Sequence, residues 1–155
     1  MQIEQVVIDD LSEILSLQKL AFQNEAEIYS DCKIPPLTQS LEDIKEEFQQ
    51  KVFLKAAVNS EIIGSVRAFK EKRSCYIGKL IVHPDFQNQG VGTRLIQEAE
   101  GIFRDAEYFV LWTGHKSEKS ICFYQKLGYK AVKATFDIRD NKFLRLEKRK
   151  YRVTE

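Results

Sequence analysis

The sequence predicts a mixed α/β (α+β) fold built on one mixed sheet, with the element order βααβββαβαββ. Three observations carry that prediction. A β-branched run, Tyr76 to Val82, stops at His83-Pro84. After a short loop, Gly90 and Gly92 open a series of apolar residues at helical spacing, Val91, Leu95, Ile96, Ala99, Ile102 and Phe103, so a strand passes through a glycine turn into a helix. Upstream, strand-like runs are separated by short polar turns, as in antiparallel hairpins. Downstream, a second strand-length run, Tyr108 to Thr113, follows the helix. A β-α-β crossover needs a parallel pair, expected here between Tyr76–Val82 and Tyr108–Thr113.

In chain order, Gln2 to Ile8 has four β-branched residues in seven and reads as a strand. Asp9-Asp10 starts a helix, with Asp10 and Glu13 spaced as a capping box and Leu11, Ile14, Leu15, Leu17 and Leu20 on the apolar face. The helix fades after Gln23, and Pro35-Pro36 predicts an extended segment. Thr38 or Ser40 caps a second helix with apolar positions Leu41, Ile44 and Phe48. Val52–Val58 and Glu61–Lys70 are strands joined at Asn59-Ser60, and Glu71-Lys72-Arg73 turns into a strand from Ser74 to His83. Pro84 lacks an N–H and ends that strand. The main helix runs from Gly90 to about Asp105. Gly114 breaks the Tyr108–Thr113 strand, Ser117 caps a third helix with Ile121, Tyr124 and Leu127 on one face, and Gly128 ends it. Tyr129–Ile138 and Phe143–Arg149 form a closing hairpin around Asp140-Asn141.

A length of 155 residues suits a single domain over 1-155, and 43% hydrophobic with 30% charged residues is ordinary for a soluble globular protein. The net charge of +1 gives no electrostatic case for nucleic acid or a membrane surface. No apolar run approaches the ~20 residues of a membrane span. The N-terminus lacks the basic region and long apolar core of a signal peptide. Cys32, Cys75 and Cys122 have no CxxC spacing and cannot all pair, so a reduced, cytoplasmic protein is expected. Neither His nor Cys has metal-ligand spacing, and no metal is expected. The basic run Lys142, Arg145, Lys148, Arg149, Lys150, Arg152 alternates with Phe143, Leu144 and Leu146 and reads as charged protection of an edge strand.

A helix that begins at glycines offers free N–H groups and a positive dipole end, which is an anion site and most readily a phosphate site. A P-loop would need Gly-Lys-Ser/Thr where Gly92-Thr93-Arg94 stands, and a dinucleotide fingerprint would need a third glycine. A packed βα turn whose glycines serve only the turn is the plainer alternative. The whole stretch resembles motif A of the GCN5-related N-acetyltransferase (GNAT) superfamily, L-x-V-x-P-x-x-Q/R-x-x-G-x-G/A, at Leu80, Val82, Pro84, Gln87, Gly90 and Gly92 without insertion. The predicted element order is also that of the GNAT-like acyl-CoA N-acyltransferase fold.

The resemblance implies acetyl-coenzyme A (acetyl-CoA) as co-substrate. The backbone from Asn88 through Gln89, Gly90, Val91, Gly92 and Thr93 would face the pyrophosphate, with Gln87 in the same loop. Leu80 and Ile81 would contact the pantetheine, and the Val82 N–H would polarise the thioester carbonyl. Leu80 and Val82 are equally well placed as core strand. The segment Ser117 to Tyr129 resembles the family's motif B, N-x-x-A-x-x-L-Y-x-K-x-G-F, at Tyr124, Lys126 and Gly128. Tyr124 would then be the general acid for the departing thiolate; as an isolated residue it would read as a core tyrosine. Ser117 stands where the family usually has an Asn that bonds the cofactor, and it is also an ordinary N-cap.

The function implied is transfer of an acetyl group to a primary amine of a small molecule. A protein N-terminal or lysine acetyltransferase and a non-catalytic acyl-CoA-binding module are the alternatives, and a longer acyl donor stays open, as does a homodimer. Relatives that acetylate protein N-termini often carry a Glu twelve residues before the Tyr, where this chain has Trp112. The general base is left among Glu25, Glu27, His83, His115 and water.

Overall fold

The structure, a computed structural model, describes residues 1–23, 26–27, 35–137 and 140–150. β1 (Gln2–Gln5) pairs with β2 (Val52–Val58), β2 with β3 (Glu61–Glu71), and β3 with β4 (Ser74–Val82), all antiparallel. β5 (Tyr108–Gly114) joins β4 in parallel, and the hairpin of β6 (Lys130–Phe136) and β7 (Lys142–Arg149) follows. The seven strands run β1-β2-β3-β4-β5-β7-β6 across one sheet. This is the mixed sheet that the sequence predicts.

One face of the sheet carries α1 (Leu11–Ala21), the short α2 (Pro35–Thr38) and α3 (Leu41–Gln50). Its core joins Leu11, Ile14, Ile44, Phe53, Ile62 and Ile81. The other face carries α4 (Val91–Ile102) and α5 (Glu118–Lys126). There Leu95, Ile96 and Ala99 of α4 meet Leu54, Val66 and Ile77. Burying each such aliphatic side chain is worth ~1.5–3 kcal/mol, so the periodicity of Leu95, Ile96 and Ala99 fixes which way α4 turns. No helix among the described residues is long and apolar enough to cross a membrane. Cys75 and Cys122 are free thiols; Cys32 lies outside the described residues.

Several local expectations are corrected. Pro35-Pro36 opens the helical turn α2 instead of an extended segment. Proline is disfavoured inside a helix, but in the first turn its missing N–H has no partner to lose and its φ is already helical. The first strand stops at Gln5, and Ile8–Asp10 forms a 3₁₀ turn. Asp10 closes that turn by accepting from the Val7 N–H at 2.9 Å, while Glu13 accepts from the Ile62 N–H at 3.4 Å, so the two do not form a box on α1. Leu20 is exposed and Gln18 is buried in its stead. Ser40, not Thr38, caps α3: its Oγ accepts from the Asp43 N–H at 3.1 Å and its N–H donates to Asp43 Oδ2 at 3.0 Å. α4 ends at Ile102, short of Asp105. β7 is not an edge strand, because it lies between β5 and β6. The crossover leaves β5 with a free edge, and the returning hairpin fills it, so the basic residues of β7 sit on an inner strand.

Candidate active site

The site is made where β4 and β5 separate. Their parallel ladder covers only Ser74–Tyr76 against Tyr108–Val110, far less than the expected Tyr76–Val82 pairing. The cause is a bulge. Arg67 pairs with Gly78 and Ser65 with Ile81, so β4 spends one residue more than β3 over that span. Lys79 absorbs it with φ +46°. A bulge bends and twists its strand, and here it leaves the second half of β4 without a partner on the β5 side.

The open edge exposes particular groups. The His83 N–H donates to Ile63 O on β3 at 2.8 Å. Backbone direction alternates along a strand, so the Val82 N–H points the other way, into the gap. Leu80 and Val82 are half-buried against the α4-side core. Ile81 differs. Its side chain is buried in the α1-side core and it pairs with Ser65, which turns it away from the gap.

The loop after β4 is held by its own side chains. His83 Nδ1 accepts from the Asp85 N–H at 3.1 Å, Gln87 Nε2 donates to Val82 O at 3.3 Å, and Gln89 Nε2 donates to Asp85 O at 3.3 Å. Asn88 and Gly90 take positive φ, +61° and +83°. The first α4 bond runs from the Arg94 N–H to Gly90 O at 3.1 Å. The N–H groups of Val91, Gly92 and Thr93 therefore stand ahead of the helical ladder at its positive end. The two glycines differ in role. A Cβ on Gly90 would meet nothing within 4 Å, whereas one on Gly92 would stand 3.2 Å from Phe123 Cζ and 3.5 Å from Leu80 Cδ2.

That near-contact brings α5 into the site. Phe123 and Tyr124 meet edge to face at 5.1 Å, and Tyr124 meets Tyr129 at 6.0 Å. No residue of α5 is fully buried, so Ile121, Tyr124 and Leu127 form a half-open wall. Gly128, at φ +98°, ends the helix as expected. Ser117 is buried at the head of α5 and makes no capping bond from its side chain. Below the wall, Tyr129 donates to Glu100 Oε2 at 2.8 Å and Lys148 pairs with the same carboxylate at 3.2 Å.

On the α1 side of the gap lies a cavity of about 240 Å³ lined by Glu47, Lys51, Arg67, Phe69, Tyr76, Ile77, Gly78, Lys79 and Trp112. Sequence reasoning did not find this cluster. Arg67 is 2% exposed. Its Nη1 donates to Glu47 Oε1 at 2.7 Å and to Gln39 Oε1 at 3.2 Å, and its Nη2 donates to Gln18 Oε1. Burial alone would raise the Glu47 pKa, but the Arg67 charge, bonds from Lys51 and Gln39, and the Lys79 charge outweigh it and hold it at about 2. Glu47 is thus a fixed anion and no general base. Burial, with Arg67 close by, also pulls the Lys79 ammonium below its usual range. One signal for this cluster was present: Gly78, a glycine inside a strand, marks a bulge or a close approach.

The candidate bases do not gather here. His83 serves the turn after β4, and His115 lies on β7 through Lys142 O, 3.0 Å from its Nδ1. Glu27 is exposed and lines no part of the cavity. Glu25 lies outside the described residues. Among those described, no cluster of His, Cys, Asp and Glu could hold a metal ion.

Comparison with known proteins gives the same fold. The chain is 29% identical over 117 residues to UPF0157 protein YqkA of Bacillus subtilis, covering 76% of this chain and 34% of that one. It is 35% identical over 83 residues to Acetyltransferase ECA0875 of Pectobacterium atrosepticum, covering 52% and 59%. The chain therefore spans 34% and 59% of the length of these curated relatives. The PaiA N-acetyltransferase from Thermoplasma acidophilum, solved in complex with coenzyme A, superposes with a TM-score of 0.77 at 20% identity, over 97% of this chain and 100% of that one. Residues 14–129 match the sequence profile of the Acetyltransferase (GNAT) family, and on that match and this fold the chain belongs to it.

Proposed function

We propose that the chain, acting as one domain over 1–155, is an acetyl-CoA-dependent N-acetyltransferase for a small-molecule amine. The observation that carries the proposal is the opening of β4 from β5 at the Lys79 bulge, directly before the glycine start of α4. The cofactor fits on structural grounds. The N–H groups of Val91, Gly92 and Thr93, with the loop from Gln87 through Asn88 and Gln89 to Gly90, suit a pyrophosphate. Gly92 keeps a lane clear between Leu80 and Phe123 that a Cβ would narrow. Leu80 and Val82 offer a free strand edge for an extended amide-containing arm, and Ser117 stands at the head of the facing helix.

When bound, acetyl-CoA supplies an activated acetyl thioester. The Val82 N–H, on the unpaired part of β4, would polarise its carbonyl without reorganising. Acetyl transfer would exchange the carbon–sulfur bond for a carbon–nitrogen bond, so the amine would have to lose one proton and the sulfur gain one. Tyr124, on the half-open α5 wall, would give that proton. Among the described residues, the one carboxylate lining the cavity, Glu47, is engaged by four donors, so water is the proposed acceptor of the amine's proton. Trp112 lines the acceptor side where a base-bearing relative would have Glu. That supports a small-molecule acceptor over a protein N-terminus.

The test is release of free coenzyme A from acetyl-CoA with panels of amino acids, polyamines, aminoglycosides and peptides. Amine-dependent release, with acetylated product by mass spectrometry, is expected for one small-molecule class. Binding without turnover on any amine would reduce the chain to an acyl-CoA-binding module, and preference for peptides would move the acceptor to proteins.

A further inference from the structure

The cavity on the α1 side carries three cations, Lys51, Arg67 and Lys79, against one carboxylate, Glu47. The lining thus holds two positive charges in excess. The carboxylate is already engaged by four donors. Its Oε1 accepts from Gln39, Arg67 and Lys79 at 2.9, 2.7 and 3.2 Å, and its Oε2 accepts from Lys51 at 2.9 Å. A cationic group entering here meets like charge and a carboxylate already held by four donors. A carboxylate finds donors. Among the described residues, Lys79 uses two of its three N–H groups, on Glu47 and Gln39, and Lys51 uses one. Asp43 accepts from the Ser40 N–H and lines no part of the cavity, and Arg145 pairs with Glu147 at 2.9 Å while its guanidinium lies 5.4 Å over the Trp112 ring.

The cavity also carries an aromatic row, with the Lys51 ammonium 5.2 Å over the Phe69 ring. Phe69 stacks on Tyr76 at 5.2 Å and Tyr76 on Trp112 at 5.8 Å, the latter pair 6° from parallel. The row crosses β3, β4 and β5, and Trp112 is 44% exposed at its end. Gly78 also lines the cavity, and a Cβ there would meet nothing within 4 Å. The cavity therefore joins a row of aromatic rings to an excess of cations, next to the bulge where the strands part.

We propose that the acceptor is an amine that also carries a carboxylate, an amino acid with an apolar or aromatic body. Its carboxylate lies against Lys79 and Lys51 and its body along Tyr76 and Trp112. This rests on the acetyltransferase reading, and its test has a part that does not. Calorimetric titration of the full chain, with and without coenzyme A, compares 3-phenylpropionate with its isosteric amide. The carboxylate should bind about tenfold tighter or better, since a charged acceptor makes the stronger hydrogen bond. Lys79→Gln and Lys51→Gln, both at half-exposed positions, should each cost the carboxylate about fivefold and leave the amide unchanged. In turnover, L-phenylalanine should surpass L-phenylalaninamide and spermidine. Equal binding of the two probes, or binding of neither, overturns the proposal. So does preference for spermidine, or for a peptide amide bearing an acidic residue. If coenzyme A itself fails to bind, the transferase reading falls, while the titration without it still judges the cavity.

Discussion

Gly92 of α4 faces Phe123 of α5 so closely that a single added Cβ would stand 3.2 Å from the ring. The two helices are far apart in sequence, and this contact sets the width of the lane between them. Gly92→Ala should therefore act on binding more than on folding. Alanine recovers part of the ~1 kcal/mol that glycine costs a helix, while Phe123 must shift by a few tenths of an ångström. The melting temperature should change by less than ~3 °C, and coenzyme A affinity, read by calorimetry, should fall several-fold.

Gly90 has the opposite profile. Its φ of +83° is left-handed, and its Cβ direction is open. Gly90→Glu should cost ~1–2 kcal/mol of stability from the backbone alone. It should abolish coenzyme A binding, because the side chain and its charge enter the space assigned to the pyrophosphate. Gly90→Asn, which tolerates left-handed backbone, should fold better and bind weakly. Normal binding by Gly90→Glu would show that the glycine serves the turn only.

Glu47 gives the acid flank of stability. Its folded pKa, about 2, lies below its ordinary value of 4.5. The unfolded chain thus takes up this proton first as pH falls, so the stabilisation is complete above about pH 4.5 and is lost towards pH 2. Glu47→Gln leaves Arg67 and Lys79 without their counter-charge and should cost ~3 kcal/mol at neutral pH. Urea unfolding from pH 2 to 7 should show the step in the wild type and a flatter profile in the variant.

Tyr124→Phe keeps the ring contacts with Phe123 and Tyr129 and removes the hydroxyl alone. Coenzyme A affinity and melting temperature should hold, while turnover on the accepted amine falls ~10²-fold or more, the usual worth of a positioned general acid. Full turnover would return the proton to solvent. Joint loss of stability and binding would mark the hydroxyl as a structural bond.

Much of the fold was legible because its signals are local. Pro84 ends a strand, Gly90 opens a helix, Ser40, one of two candidate caps, starts another, and Gly128 closes a third. What was illegible depends on partners distant in sequence. Glu47 and Arg67 are twenty residues apart on different elements, and no pattern links them. The bulge is carried by Lys79, a residue with no preference for left-handed backbone, and only its neighbour Gly78 hinted at it. The place of β7 inside the sheet follows from which edge the crossover leaves free, a property of assembly and not of the strand. Pro35-Pro36 misled because proline both interrupts and begins helices.

The central claim is that the β4–α4 turn and the parted strands hold coenzyme A. Thermal unfolding of the full chain with and without coenzyme A tests it most directly. At a hundredfold excess over its dissociation constant the ligand should add ~2.7 kcal/mol of stability, a rise of about 5–10 °C for a chain of this size. No shift at millimolar coenzyme A would contradict the account.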